Sequence, residues 1–237
     1  MSRTLFVAAL VSAVSLGTRD DKSDKFRPID IQPKANVKLT DDFHADNPGN
    51  NLAELKTGEQ TMAGVKFNIG PKCMQLGSAL LKESGRDFPA AAKDIAVNAR
   101  AGKFHLLHSL GYGTVYEQQP DLLPKDKIVA RLRVTFDDDS TEVFPIEYGE
   151  DLVDWWYIPG SPNHAREAKR AKIGWEGSNA VTKAISEQAG VHAVVRLYLS
   201  TWKNPKPEKV VKSLEYAVAN SEQPSAPFCV AITVENE

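Results

Sequence analysis

The sequence predicts an all-β fold: a two-sheet antiparallel sandwich of the jelly-roll kind, with one or two short helices. Three observations lead there. Apolar residues come in short runs, often alternating with polar ones, cut by Gly, Pro, Asn and Asp. One pair of runs reads directly as a hairpin. Ile128 to Phe136 puts Ile128, Ala130, Leu132, Val134 and Phe136 on one face, Asp137-Asp138-Asp139-Ser140 turns the chain, and Thr141 to Tyr148 returns. Finally, no segment sustains an apolar stripe of period 3.6 over several turns.

The chain is read from its start as follows. Met1-Ser2-Arg3 is basic, Thr4 to Leu16 is apolar or small, and Arg19-Asp20-Asp21-Lys22 is strongly polar. That pattern is a secretory signal over residues 1–17, and the apolar part is shorter than the ~20 residues of a membrane span. Residues 18–26 form a charged linker, and the sandwich domain occupies 27–237. Within it, Ile29-Asp30-Ile31 alternates, and Val37 and Leu39 follow. Asp41 to Asn51 is a loop dense in Asp, Asn, Pro and Gly, and Gly64 to Gly70 is a strand bounded by glycines. After the hairpin, whose Pro145 places the return strand at an edge or a bulge, come strands at Ala193 to Trp202, Leu214 to Val218 and Phe228 to Val234. Helical propensity is concentrated in Pro89 to Arg100, His164 to Lys172 and, more weakly, Ala180 to Ala189.

The 237 residues are 42% hydrophobic and 25% charged, enough for a substantial core. The net charge of −2 comes from 29 basic and 31 acidic residues, with no long basic run, so the chain lacks the electrostatic footprint of a nucleic-acid binder. No second apolar run is long enough to cross a membrane. The two cysteines, Cys73 and Cys229, have two readings: a disulfide, as export would favour, or two buried thiols.

An ordered set of segments resembles the galactose-binding-like jelly rolls and the carbohydrate-binding modules attached to glycoside hydrolases of secreted bacterial proteins. The segments are Gly64-Val65-Lys66-Phe67-Asn68-Ile69, Phe104-His105-Leu106-Leu107-His108-Ser109, the hairpin through Phe136 and Asp139, Asp151-Leu152-Val153-Asp154-Trp155-Trp156, Trp175-Glu176-Gly177 and Trp202-Lys203-Asn204-Pro205-Lys206-Pro207. The resemblance implies that Asp94 to Val97 runs extended toward Phe104, so Pro89 to Arg100 is expected as loop and strand against its propensity. It also implies a non-catalytic binding module. Attached modules accompany a catalytic domain, and none is expected within these 237 residues.

Candidate chemistry centres on the tryptophans. Adjacent Trp155 and Trp156 would face opposite ways on an extended chain, one in the core and one exposed. With Asp154, Tyr157 and Trp175 they are the candidate ligand-binding residues, since indole faces stack on sugar rings; packing is the competing role. Asp41, Asp42 and Asp46 lie in an oxygen-rich loop of the kind calcium favours, though not in EF-hand spacing. His105 and His108 would share a face on a helix but not on a strand, which argues against a joint metal. Glu147, Glu150, Asp151 and Asp154 cluster beside the indoles, the residue types of glycoside hydrolysis but without an established separation. No nucleophile elbow, zincin or phosphate-loop motif occurs. Three functions are therefore carried forward. The first is an exported binding module for a glycan or cell-envelope component. The second is a structural or protein-interaction domain of an extracytoplasmic assembly. The third is a glycoside hydrolase.

Overall fold

The computed structural model describes residues 25–44 and 47–236. The expected signal (1–17) and most of the expected linker lie outside the described residues, and the sandwich begins with Phe26, already in a strand. The strands are β1 (Phe26–Ile29), β2 (Val37–Lys38), β3 (Gly58–Met62), β4 (Val65–Ile69), β5 (Lys72–Gln75), β6 (Ala91–Arg100), β7 (Lys103–Gly111), β8 (Ile128–Phe136), β9 (Thr141–Glu147), β10 (Trp156–Tyr157), β11 (Lys172–Gly177), β12 (Val194–Lys203), β13 (Val210–Val218) and β14 (Ala226–Glu235). Three α-helices among the described residues, one more than expected, are α1 (Ala79–Glu83), α2 (Thr114–Gln118) and α3 (Ala180–Ala189).

The strands form three antiparallel sheets. The largest runs β10–β12–β7–β14–β5–β2, with β1 also on β14 and β11 also on β12; a second runs β6–β13–β8–β9; β3 and β4 make a hairpin. The fold is all-β, as the sequence predicts. The first two sheets face each other across a core of Phe104, Leu106, Leu110, Ile232 and Val234 on one side and Leu132, Val134, Phe136, Ile95, Leu214 and Tyr216 on the other. The expected hairpin is β8–β9, paired from Thr135↔Thr141 to Ile128↔Glu147. Its Pro145 sits on the outer strand of the four-stranded sheet, where a missing N–H costs no ladder bond.

The opposite face of the large sheet is covered too. Leu107, Val195, Leu197, Leu199, Phe228 and Val230 pack beneath the β3–β4 residues Val65, Phe67 and Ile69 and the loop residues Leu39, Phe43, Leu52 and Leu55. Every residue of β14 is consequently buried. This is why Phe228 to Val234 reads as a continuous apolar run rather than an alternating one.

Local chemistry explains where propensity holds and where it fails. Ala180–Ala189 is a helix because Asn179 and Thr182 form a reciprocal capping box and Gly190 ends it in the left-handed region at φ 65°. The alanine-rich 89–100 segment is strand β6, paired with β13. The two register shifts of that pairing fall at Asp94 (φ 55°) and Asn98 (φ 51°), residue types that tolerate left-handed backbone. His164 to Lys172 is not a helix. Its backbone bonds to the 149–150 turn through Lys169, Arg170 and Ala171. Its cations pair with α2 and with that turn: Arg166 with Glu117 at 2.6 Å, Lys169 with Glu150 at 3.3 Å and Arg170 with Asp151 at 2.7 Å.

The disulfide expectation is corrected. Cys73 and Cys229 are free and fully buried. Their strands are neighbours, but Cys229 lies opposite Met74, not Cys73. The one-residue offset sends Cys229 into the core between the sheets and Cys73 into the core on the far face. Burial pushes both thiols up, leaving two small apolar side chains. No helix among the described residues is long and apolar enough to cross a membrane.

Candidate functional site

At one end of the large sheet, where the chain leaves β7 and enters β10, a cavity of about 130 Å³ is lined by His44, Asn50, Tyr112, Thr114, Asp154, Trp155, Trp156 and His164. Four chain segments build it. Asp154 bridges to Leu110 of β7, the Trp155 amide donates to the Leu110 carbonyl, and the Arg196 amide donates to that of Trp155. The Asp154–Trp156 segment is thereby fixed against two central strands.

Asp154 is 6% exposed. Its Oδ2 accepts from the Gly113 amide (2.7 Å) and the Thr114 amide (3.3 Å) at the start of α2, and its Oδ1 accepts from the Trp156 amide (2.9 Å). Burial pushes its carboxyl up to about 6, against the three amides that lower it. The other carboxylates of the predicted cluster behave differently. Glu147 and Asp151 face Arg170, and Glu150 faces Lys169. Asp154 has no cationic partner among the described residues.

His44 is 4% exposed, and its Nε2 lies 2.7 Å from Gln75 Oε1. The Gln75 amide nitrogen donates to the carbonyls of Leu76 and Pro227, which fixes Oε1 toward the histidine. Nε2 therefore carries the proton and Nδ1 the lone pair; that Nδ1 has no hydrogen-bond partner among the described residues. Burial pushes the imidazole down to about 3, so it is neutral. Its ring lies against Gly111, where a Cβ would come within 2.4 Å of Cγ. A Cβ on Gly113 would lie 2.6 Å from Leu110 Cδ1 and 3.1 Å from the Asp154 backbone nitrogen. The glycines on either side of Tyr112 are thus what let His44 and Asp154 approach. Two residues of the rim, His44 (φ 52°) and Tyr112 (φ 60°), hold left-handed backbone that bulky side chains rarely adopt.

The aromatic wall runs from Trp155 to His164. Trp155, 2% exposed, packs on Phe43, His44 and Phe228. Trp156 is half-buried, its ring 5.8 Å from that of His164, and its Nε1 donates to Asn50 Oδ1 at 3.2 Å. Asn50 also accepts from Asn179 at the start of α3 and donates to the Phe43 carbonyl, joining loop, helix and indole. His164 Nδ1, like that of His44, is buried without a partner among the described residues.

Of the predicted ligand-binding residues, Asp154, Trp155 and Trp156 meet here and two do not. Tyr157 is covered by the Arg196 guanidinium, 3.4 Å from its ring centroid and held by Glu176. Trp175 lies across its own strand, where a Cβ on Gly177 would be 2.4 Å from Cζ2. The two adjacent indoles do not face opposite ways; their rings stack at 6.4 Å and 26°. A bend at Trp155, closed by the Asp154 side chain on the Trp156 amide, replaces the extended geometry that alternation needs.

The loop expected to favour calcium is described only in part. Asp41 accepts from the Lys38 amide and Asp42 from the Gly49 amide, closing the loop on itself, and Asp46 lies outside the described residues. No group of three or more His, Cys, Asp or Glu among the described residues is placed to hold a metal. His105 and His108 face opposite sides of β7, as the strand reading requires: His105 bonds Thr201 and Glu235, His108 bonds Ser200. His44, Asn50, Tyr112, Thr114 and His164 are missing from the sequence-level site. The readable signal for them is Gly111-Tyr112-Gly113 directly after a strand, a place where another segment must approach closely. Comparison with known proteins finds no matching family model, no matching curated protein and no matching solved structure.

Proposed function

We propose that this protein is an exported, non-catalytic binding module that takes the end of a glycan into the His44–Asp154–Trp156 cavity, on a fold akin to the galactose-binding-like jelly rolls. The observation carrying the reading is that Asp154, Trp155 and Trp156, an acceptor and two indole faces, line one cavity held by rigid strands. Aromatic faces with a few fixed polar groups are how small polar ligands are oriented. The cavity's 130 Å³ is well below the roughly 300–1,000 Å³ of sites that enclose a drug-sized ligand, so the occupant is a terminal group. Glycoside hydrolysis, which uses two carboxylates flanking the bond, is disfavoured because Asp154 is the one carboxylate among the described residues lining this cavity, and Glu147 and Asp151, which share a second cavity of about 320 Å³, are both paired with Arg170.

A glycan array probed with the full chain and with its Trp156→Leu variant tests the reading. Specific binding that disappears in the variant, with the melting temperature changed by only a few degrees, is the expected result. Binding unaffected by Trp156→Leu would place the ligand elsewhere. No glycan binding by either protein would favour an interaction domain.

A further inference from the structure

We infer that the group this cavity takes is a primary ammonium, so that, on the glycan reading above, its ligand is a sugar bearing a free amine rather than a neutral or N-acetylated one. The inference comes from the charge that the lining residues leave without a partner. The Gly113, Thr114 and Trp156 amides are spent on Asp154. The Trp156 indole N–H is spent on Asn50, and an Asn50 amide hydrogen on the Phe43 carbonyl. Other donors remain, the Trp155 indole N–H and the Thr114 hydroxyl among them, so what sets the cavity apart is charge: the Asp154 carboxylate, with about four acceptor sites for three amides, keeps one position open. Around it stand the π faces of Tyr112, Trp155 and Trp156.

An ammonium has three donors and no acceptor, and aromatic faces attract cations electrostatically. It also supplies what Asp154 lacks. The neighbouring carboxylates Glu147, Glu150 and Asp151 have Arg170 or Lys169, whereas no lysine or arginine among the described residues lines this cavity. A buried charge without a counter-charge is costly, and a ligand cation removes that cost on binding. An anionic ligand would meet Asp154 directly. An N-acetyl group would bring no positive charge to Asp154.

Calorimetric titration of the full chain at neutral pH decides it. The probes are a β-1,4-linked glucosamine tetramer, its fully N-acetylated counterpart, cellotetraose, and methylammonium chloride. The glucosamine tetramer should bind at least about tenfold more tightly than either other sugar, and Asp154→Asn and Trp156→Leu should each weaken it about tenfold or more. Asp154→Asn alters the start of α2, so its melting curve is recorded; Trp156→Leu leaves Asp154 and its three amides in place and carries the test if the first variant fails to fold. Equal binding of all three sugars overturns the ammonium inference and leaves the glycan reading standing. Methylammonium binding with no sugar binding keeps the inference and removes the glycan reading. Glucosamine binding unchanged in Trp156→Leu overturns the assignment to this cavity, and no binding of any probe overturns both.

Discussion

The two faces of the large sheet are buried by different means. One is covered by a second regular sheet, with side chains arriving at strand spacing from β6, β8 and β13. The other is covered by a hairpin, a long loop and a bend, and its cavity sits where those irregular pieces meet. Both faces bury polar atoms without a partner among the described residues, His108 Nδ1 and the Tyr216 hydroxyl between the sheets and His44 Nδ1 beneath the loops, but the loops also wall a cavity beside the buried Asp154 carboxylate.

If the loop-built face is a true core, removing Trp155 should cost as much as removing a large side chain between the sheets. Trp155→Ala and Phe136→Ala are each expected to lower unfolding free energy by about 3–5 kcal/mol. Urea unfolding compares them. A cost for Trp155→Ala near zero would mean that the loop layer lies on the sheet without contributing to stability.

Acid should weaken both faces. His44 on one face and His108 on the other are each pushed down to about 3 by burial. An unfolded histidine titrates near 6.5, so between about 6.5 and 3 the unfolded chain binds more protons. Stability fully present above 6.5 is lost as pH falls, by about 2 kcal/mol per histidine at pH 5. Asp154 acts with the opposite sign. Its folded value of about 6 exceeds the ordinary 3.8, so the folded chain binds more protons between those limits and recovers about 1 kcal/mol by pH 5. Unfolding measured at pH 7, 6 and 5 should show a net loss. His108→Gln should flatten it, since the histidine's neighbours Ser200, Trp202 and Tyr216 carry no charge that replaces it.

Smaller effects separate approach from packing. Gly111→Ala and Gly113→Ala are each expected to cost about 1–3 kcal/mol by overpacking, and both should impair ligand binding by displacing His44 or Asp154. Gly85, at φ 78° with open space around it, should impair stability when replaced but not binding. Melting curves and titrations on the three variants distinguish these. At the small end, both thiols should react with a thiol reagent in denaturant without prior reduction and stay unreactive in the native protein.

The same contrast governs what the sequence discloses. The sandwich face was legible because alternation in Ile128 to Phe136 and the edge proline at 145 are local signals of a half-buried strand. The capping of Ala180 to Ala189 by Asn179 and Gly190 was also local, though its weak stripe understated the helix. The 89–100 segment needed more than propensity, since its strand depends on pairing with β13, over 100 residues away. The 164–172 segment carries good helix formers whose cations are claimed by carboxylates on the 147–151 turn and α2. At the site, Asp154, Trp155 and Trp156 were readable as a cluster, but alternation misplaced the indoles because the bend at 155 is set by a side chain on the backbone. His44 could not be joined to Asp154 from sequence: they are brought together through Gly111 and Gly113, across a separation that no local pattern spans.

The most direct measurement is a proton–nitrogen correlation spectrum of the full chain titrated with the glucosamine tetramer. The indole Nε1–H of Trp156, bonded to Asn50, and the Gly113 and Thr114 amides, bonded to Asp154, report on the cavity, while the Trp202 indole on the sandwich side reports on the other face. The prediction is saturable movement of the first three signals with Trp202 unmoved. Movement centred on Trp202, or no saturable movement at the three cavity signals, would contradict the assignment of binding to the loop-built face.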